Sequence, residues 1–196
     1  MDHYFTGGRA YDGREYEIPY AYGGKQYRFI SGAGVFSAKG IDAASDLLLR
    51  QMPPLSGSIL DLGCGYGLIG VVLAKEHNLE LTQVDVNPNA VSLAKRNCEI
   101  NGVNAITVVS DGFEHITGSF DTIAVNPPIH AGKQTVFDLY AGALLHLNAG
   151  GALYVVIRKK HGAPSSAAYL ENAFGNCDVL YRRKGYNILR CLMKEN

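Results

Sequence analysis

Ile59-Leu60-Asp61-Leu62-Gly63-Cys64-Gly65-Tyr66-Gly67-Leu68-Ile69-Gly70 is the stretch whose reading decides the fold. Its first four residues form a short apolar run broken by one carboxylate, which reads as a buried strand. Glycines at 63, 65 and 67 then make a tight loop, and residues 68–76 carry Leu68, Ile69, Val71, Val72 and Leu73, the apolar content of a packed helix. Downstream the pattern repeats. Residues 79–86 read as a strand ending at Asp85, and residues 88–101 as a helix with Pro88 suited to its first turn. Strands follow at 106–109, 120–125 and 152–157, with helices at 137–147 and 165–174. Residues 179–183 and 186–193 read as two strands joined by a turn at Lys184-Gly185. Strands alternating with helices predict an α/β fold built on a mostly parallel, doubly wound sheet with an antiparallel pair at its end.

Upstream, Tyr16, Ile18 and Tyr20 alternate before Gly23-Gly24, and Tyr27 and Phe29 alternate after it, so residues 15–30 read as a β-hairpin. Its tyrosines are either a stacking platform for bases or the inner face of a small sheet covering the core. The link Gly32-Ala33-Gly34-Val35-Phe36-Ser37 leads to an amphipathic helix at 41–51, capped by Asp42 or Ser45 and ended by Met52-Pro53-Pro54. There is no internal repeat, linker or low-complexity tract. The expectation is one domain over residues 1–196, with 1–37 as a hairpin extension and 38–196 as the core.

Composition narrows the function. A chain of 196 residues with 47% apolar and 18% charged content is long enough for a sizeable core. Its formal net charge of zero argues against coating nucleic acid or membrane by bulk electrostatics, while permitting a local basic patch. Cys64, Cys98, Cys177 and Cys191 form no C-x-x-C pair, so neither a metal site nor a disulfide framework is expected. No apolar run approaches ~20 residues, so no membrane association is expected and the chain is placed in the cytoplasm.

Gly65-Tyr66-Gly67-Leu68-Ile69-Gly70 satisfies G-x-G-x-x-G, and Asp85 closes the next strand. That pair is a dinucleotide fingerprint, yet any adenosine-containing ligand needs the same close backbone approach and the same carboxylate for a ribose diol. Asp61 separates the readings, because a carboxylate there repels a pyrophosphate and suits a ligand with a positive amino group. Asp111 closes a third strand, placed to bond an adenine edge. Amine, ribose and adenine are the three handles of S-adenosylmethionine. The competing view of Asp85 and Asp111 is that they cap helices and form turns.

The acceptor is read from Asn126-Pro127-Pro128-Ile129, directly after the strand at 120–125. Neither proline has an N–H for a sheet neighbour, and each restricts the residue before it, so the strand ends in a stiff turn with an amide at its lip. An exocyclic base amine is planar and poorly nucleophilic. If the Asn126 side-chain oxygen and the Pro127 carbonyl accept its two N–H bonds, the nitrogen can pyramidalise and its developing charge is stabilised. If the acceptor is a nucleobase, one inside a helix cannot reach such a turn, and the expected target is unpaired or extruded.

Together these stretches resemble class I S-adenosylmethionine-dependent methyltransferases, and more closely the methyltransferase small domain group that includes the small-subunit ribosomal RNA guanine-N2 methyltransferases. The resemblance rests on Asp61-Leu62-Gly63-Cys64-Gly65-Tyr66-Gly67, Asp85, Asp111 and Asn126-Pro127-Pro128-Ile129. It extends to His3-Tyr4-Phe5-Thr6, Gly34-Val35-Phe36-Ser37 with Asp42 and Ser45, Ser110-Asp111-Gly112-Phe113, and Ile129-His130-Ala131-Gly132-Lys133. It departs at Ala44, where the group usually has glycine, and at Ile129, where many relatives have an aromatic residue. The resemblance implies a Rossmann-like fold with a seven-stranded, mostly parallel sheet and an antiparallel C-terminal strand.

It also implies S-adenosylmethionine held by Asp61, Gly63, Cys64, Gly65, Gly67, Asp85, Val86, Asp111, Gly112 and Asn126. Catalysis falls to Asn126, Pro127, Pro128 and Ile129, and substrate contact to Phe36, His130 and Lys133. The implied substrate is ribosomal RNA or the small ribosomal subunit; the sequence leaves the oligomeric state open, with a monomer favoured. Adenine N6 or a protein glutamine amide are alternative acceptors, and a cofactor-binding assembly protein without catalysis is the alternative of another class. Two basic runs, Arg158-Lys159-Lys160-His161 and Arg182-Arg183-Lys184, flank either the active-site edge or its opposite.

Overall fold

In the computed structural model, which describes residues 14–195, the elements run β1 (Glu15–Tyr22), β2 (Lys25–Gly32), α1 (Ala43–Gln51), β3 (Ser58–Leu62), α2 (Leu68–His77), β4 (Glu80–Asp85), α3 (Pro88–Asn101), β5 (Ala105–Val109), β6 (Phe120–Val125), α4 (Lys133–Leu145), β7 (Leu147–Arg158), α5 (Ala163–Phe174), β8 (Asp178–Arg183) and β9 (Tyr186–Leu192). Strands β3 to β9 form a seven-stranded sheet in the order β5-β4-β3-β6-β7-β9-β8. β9 runs antiparallel to both its neighbours, β7 and β8, and the remaining pairs are parallel. The chain winds outward from β3 through β4 to β5, then crosses to β6 on the other side. The carboxyl ends of β3 and β6 therefore flank the switch point where open α/β sheets bind ligands.

Burial on both faces explains the continuous apolar runs of the central strands. Ile59, Ala124, Tyr154, Val156 and Ile188 face the layer made by α1, α2 and α3. Leu60, Ile123, Val125, Leu153 and Val155 face α4 and α5. Leu60, Ile123 and Leu153 are fully buried, each contributing ~1.5–3 kcal/mol by removal from water.

The β1–β2 hairpin covers the first helical layer. Tyr20, Tyr27 and Phe29 are buried in it. The Tyr20 hydroxyl donates to Asp46 at 2.8 Å, the Tyr22 hydroxyl to the Leu49 carbonyl at 2.8 Å, and the Tyr27 hydroxyl to Glu76. Of the two readings of these tyrosines, the cover for the core is the one the packing matches. The outer edge of β2 is completed by side chains of α3. Asn97 Oδ1 accepts the Ile30 N–H at 2.7 Å and its Nδ2 donates to the Ile30 carbonyl at 2.8 Å. Asn101 repeats the exchange with Arg28, at 3.2 and 2.9 Å. Two asparagines one helical turn apart thus serve as a strand edge.

Three expectations need correction. The helix expected at 137–147 begins at Lys133, because Gly132, with φ 98°, breaks the preceding helical turn and restarts the chain. It ends at Leu145, and Leu147 is already in β7. Asn148-Ala149-Gly150-Gly151, expected to precede the strand at 152–157, is a bulged part of it. A Cβ at Gly151 would lie 2.9–3.1 Å from three backbone oxygens, so glycine is needed there. The helix at the front starts at Ala43, with Asp42 as the cap, its carboxylate accepting the Ser45 N–H at 2.8 Å. His3-Tyr4-Phe5-Thr6 lies outside the described residues. Among those residues, no helix is long and apolar enough to cross a membrane.

Candidate active site

A cavity of about 490 Å³ opens at the carboxyl edge of the sheet, within the size range of small-molecule sites. One half is lined by Gly63, Cys64, Gly65, Asp85, Val86, Ser110, Asp111 and Gly112, from the ends of β3, β4 and β5. The other half is lined by Asn126, Pro127, Pro128, Ile129 and His130 from the end of β6, with Arg158, His161 and Tyr186 beyond and Phe36 at the rim.

The first half is a loop held from behind. The Gly63 and Cys64 N–H groups donate to the Val84 carbonyl at 2.8 and 2.9 Å. The Gly65 N–H donates to Asp85 Oδ2 at 2.9 Å, while Asp85 Oδ1 accepts the Asn87 N–H at 2.9 Å. Asp85 therefore ties strand to loop, and the cap of α3 is Asn87. Gly65 sits at φ 56° with open space where a Cβ would project, so a ligand can lie directly on the backbone. Gly70 serves packing: a Cβ there would meet Leu81, Gln83 and Asp61 at 2.8–3.0 Å. Burial raises the Asp85 carboxyl above the ordinary aspartate range, partly offset by the N–H groups of Asn87, Gly65 and Val86. Cys64 is buried, and burial pushes its thiol well up, so it is packing and not a thiolate. Asp111 is exposed on the cavity rim.

Two residues expected on this wall lie behind it. Asp61 is 1% exposed beneath the loop. It accepts the Gly70 N–H at 2.8 Å and faces the Gln83 amide at 3.4 Å. Burial pushes it up to about 6, with those hydrogen bonds opposing. Asp61, read from the sequence as suiting a positive amino group, is not part of the cavity lining; its carboxylate braces the loop from behind. Gly67 is likewise a packing position, where a Cβ would crowd Gln83 and Ala94 at 2.8 and 3.2 Å.

In the second half, Asn126 Nδ2 donates to Asp42 Oδ2 at 2.9 Å and to Ser45 Oγ at 3.1 Å. A carboxylate only accepts, so it must face the amide nitrogen. Both amide hydrogens are occupied, and Oδ1, without a partner among the described residues, is left for a donor in the cavity. The Pro127 carbonyl accepts the Ile129 N–H at 2.9 Å, which leaves one of its two lone pairs. Asp42 and Ser45 entered the sequence reading as a helix start. Their second task, orienting Asn126 across the sheet edge, had no local signal.

Lys133 does not reach this cavity. It lies on a neighbouring hollow of about 150 Å³, its ammonium 5.2 Å from the centre of the Phe137 ring. The basic run after β7 does arrive here: Arg158 and His161 line the wall. The Arg158 guanidinium stacks 4.7 Å from the Tyr186 ring centre and bonds its hydroxyl. His130 and His161 approach to 6.2 Å between ring centres. The His161 imidazole is held below its usual range by burial and by Lys160, Arg158 and His130.

Known proteins resemble this chain in sequence and in fold. Residues 26–190 match the methyltransferase small domain. An uncharacterized protein of Bacillus subtilis is 41% identical over 85% of this chain and 86% of its own length. The ribosomal RNA small subunit methyltransferase C of Cronobacter sakazakii is 38% identical over 83% of this chain and 48% of its own. Among solved structures, the T. thermophilus 16S rRNA N2 methyltransferase, in complex with AdoMet and guanosine, superposes with a TM-score of 0.82 at 27% identity, covering 92% of this chain and 51% of that one. The chain spans about half the length of these two rRNA methyltransferases. By fold and by a match over most of its length, the chain belongs to the methyltransferase small domain family.

Proposed function

We propose that this chain transfers a methyl group from S-adenosylmethionine to guanine N2 in small-subunit ribosomal RNA. One observation carries the reaction class: Asn126 is held by Asp42 and Ser45 with its amide nitrogen turned away and its oxygen left for the cavity. An oxygen presented in that way suits the N–H of an amine acceptor. The rRNA methyltransferases similar to this chain supply the nucleobase and its position.

The residues fit the cofactor. Gly63, Gly65, Val86 and Gly112 offer backbone to its adenosine, with Cys64 packed beneath them. The remaining lone pairs of Asp85 suit a ribose diol, and Asp111 suits the adenine amine. Asp61, behind the loop, supplies negative potential for its cationic end. When bound, S-adenosylmethionine supplies a methyl group on a sulfonium, already a good leaving group.

The protein's task is then alignment and charge stabilisation. Asn126 Oδ1 and the free lone pair of Pro127 accept the two amine hydrogens, which favours a pyramidal nitrogen and stabilises its growing positive charge. Ile129 presses on one face of the base. Phe36, 66% exposed at the cavity rim, supplies the aromatic surface that position 129 lacks. His130 contacts the base edge or a flanking phosphate. Lys133 contributes charge at a greater distance. No strong base is required, because the cationic product loses its proton readily. One domain performs both tasks, with residues 1–37 as an extension and 38–196 as the catalytic core.

The test is nucleoside mass spectrometry on ribosomal RNA incubated with the protein and labelled cofactor. Label in N2-methylguanosine is the expected result. Label in N6-methyladenosine, or only in a peptide glutamine offered in competition, overturns the guanine assignment.

A further inference from the structure

We infer that the basic ridge at the far end of the carboxyl edge docks the RNA strand bearing the target base, holding its phosphates while the Asn126 turn receives the base. This rests on the nucleobase reading above.

Two segments distant in sequence meet there. β7 ends in Arg158, followed by Lys159, Lys160 and His161. β8 ends in Arg182 and Arg183, followed by Lys184. Because β9 runs antiparallel between them, β8 and β7 finish at the same edge, and Arg158 and Arg183 are each in register with Tyr186. The Lys159 N–H donates to the Gly185 carbonyl at 2.8 Å, joining the two loops into one surface.

The charge of this surface is unopposed. Arg158, Lys159, Lys160, Arg182, Arg183 and Lys184 are exposed, and none is ion-paired with a described residue. These six are drawn from 18 Lys and Arg, and none of the 18 Asp and Glu falls within 158–161 or 182–186. In a chain of zero net charge the other residues therefore sum to a formal −6, 12 Lys and Arg against 18 Asp and Glu. Attraction is concentrated on the ridge.

The ridge is also continuous with the site, since Arg158, His161 and Tyr186 form both the cavity wall and the inner margin of the ridge. β8 lies three strands from β6, roughly 15 Å at ordinary strand spacing. A few nucleotides of extended strand cover that distance. An RNA with its base in the cavity thus lays its flanking phosphates along these side chains.

The experiment compares the wild-type protein with a variant carrying Lys159→Glu, Lys160→Glu, Arg182→Glu and Arg183→Glu. Anisotropy of a fluorescein-labelled single-stranded oligoribonucleotide is followed through a salt series, and calorimetry with S-adenosylmethionine reports on the cofactor half. The expected result is a loss of RNA affinity of at least ~10-fold, with the slope of log K against log salt reduced by ~2–3 and cofactor affinity unchanged. Equal affinity and slope, or no RNA binding by the wild type, overturns the proposal. If the quadruple variant fails to fold, each loop is reversed alone, and each pair is expected to lower the slope by ~1. Product analysis is read separately. RNA bound through the ridge with no guanine methylated keeps the ridge and sinks the guanine assignment; guanine methylated with the ridge variant unimpaired does the reverse.

Discussion

The two halves of the cavity are built by opposite means. In the cofactor half, each holding group is close in sequence or on the next strand: Asp61 reaches Gly70, and Asp85 reaches Gly65 and Asn87. These contacts bury carboxylates and leave backbone exposed to the ligand. In the acceptor half, a partly exposed amide is oriented by residues 84 and 81 positions away in sequence, Asp42 and Ser45. The first half is a preformed cradle. The second is a single side chain aimed by a helix start, and under the proposed function it works only through that aim. Binding and chemistry should therefore separate under mutation.

The largest expected effect is on the aim itself. Asn126→Ala is expected to lower turnover at least ~10²-fold, with cofactor dissociation constants by calorimetry within ~3-fold of wild type. Near-normal turnover would remove the amine grip and merge the two halves. Asp85→Ala attacks the cradle. Loss of an acceptor that also holds the Gly65 N–H is expected to weaken cofactor binding by ~1–3 kcal/mol, and an unchanged dissociation constant would sink the ribose assignment.

Asp42→Ala sharpens the comparison, because the side-chain hydrogen bonds of Asp42 go to Ser45 and Asn126. Turnover is expected to fall ~10-fold through misdirection of Asn126, and stability by ~1 kcal/mol through the lost cap of α1. In the Asn126→Ala background the same change is expected to cost no further turnover; additive losses would mean that Asp42 acts by another route.

The smallest effect is one of pH. Burial holds the Asp61 carboxyl up to about 6, so the folded, ligand-free chain binds this proton more tightly than the unfolded chain does. Its contribution to stability is accordingly present at low pH and is lost as pH rises from ~4 toward that value. A cationic ligand favours the ionised form. Cofactor affinity is therefore expected to fall ~2-fold between pH 7 and pH 6, with proton release on binding. Calorimetry on Asp61→Asn, where this pH dependence should vanish, is the check.

The same contrast explains what the sequence made legible. The glycine loop, its carboxylates and the proline turn are local patterns, and the strands and helices carrying them lie within a few residues of where periodicity puts them. The depth of Asp61 was not legible, because sequence gives a residue's place along a strand but not its depth beneath a loop. The early start of α4 was missed because Lys133, Gln134 and Thr135 carry no apolar signal; the helix there is set by the backbone at Gly132. The side of the basic runs was undecidable until strand order was known, because that side follows from β9 lying between β7 and β8. Long-range pairing, not residue type, was the missing information.

Asn97 gives the hairpin a meaning beyond covering the core. Besides the Ile30 peptide, its Nδ2 donates to the Tyr66 carbonyl at 2.8 Å, in the middle of the glycine loop. Tyr66 in turn meets Phe29 of β2 edge to face, 5.9 Å between ring centres. One amide thus rivets the hairpin to the cradle, and the two are expected to open to solvent as one cooperative unit. In hydrogen exchange the amide of Ile30 and those of the cradle are expected to share an opening free energy, and Asn97→Ala to uncouple them. The ornament at the front of the chain would then be part of the clamp, setting how long a bound cofactor stays.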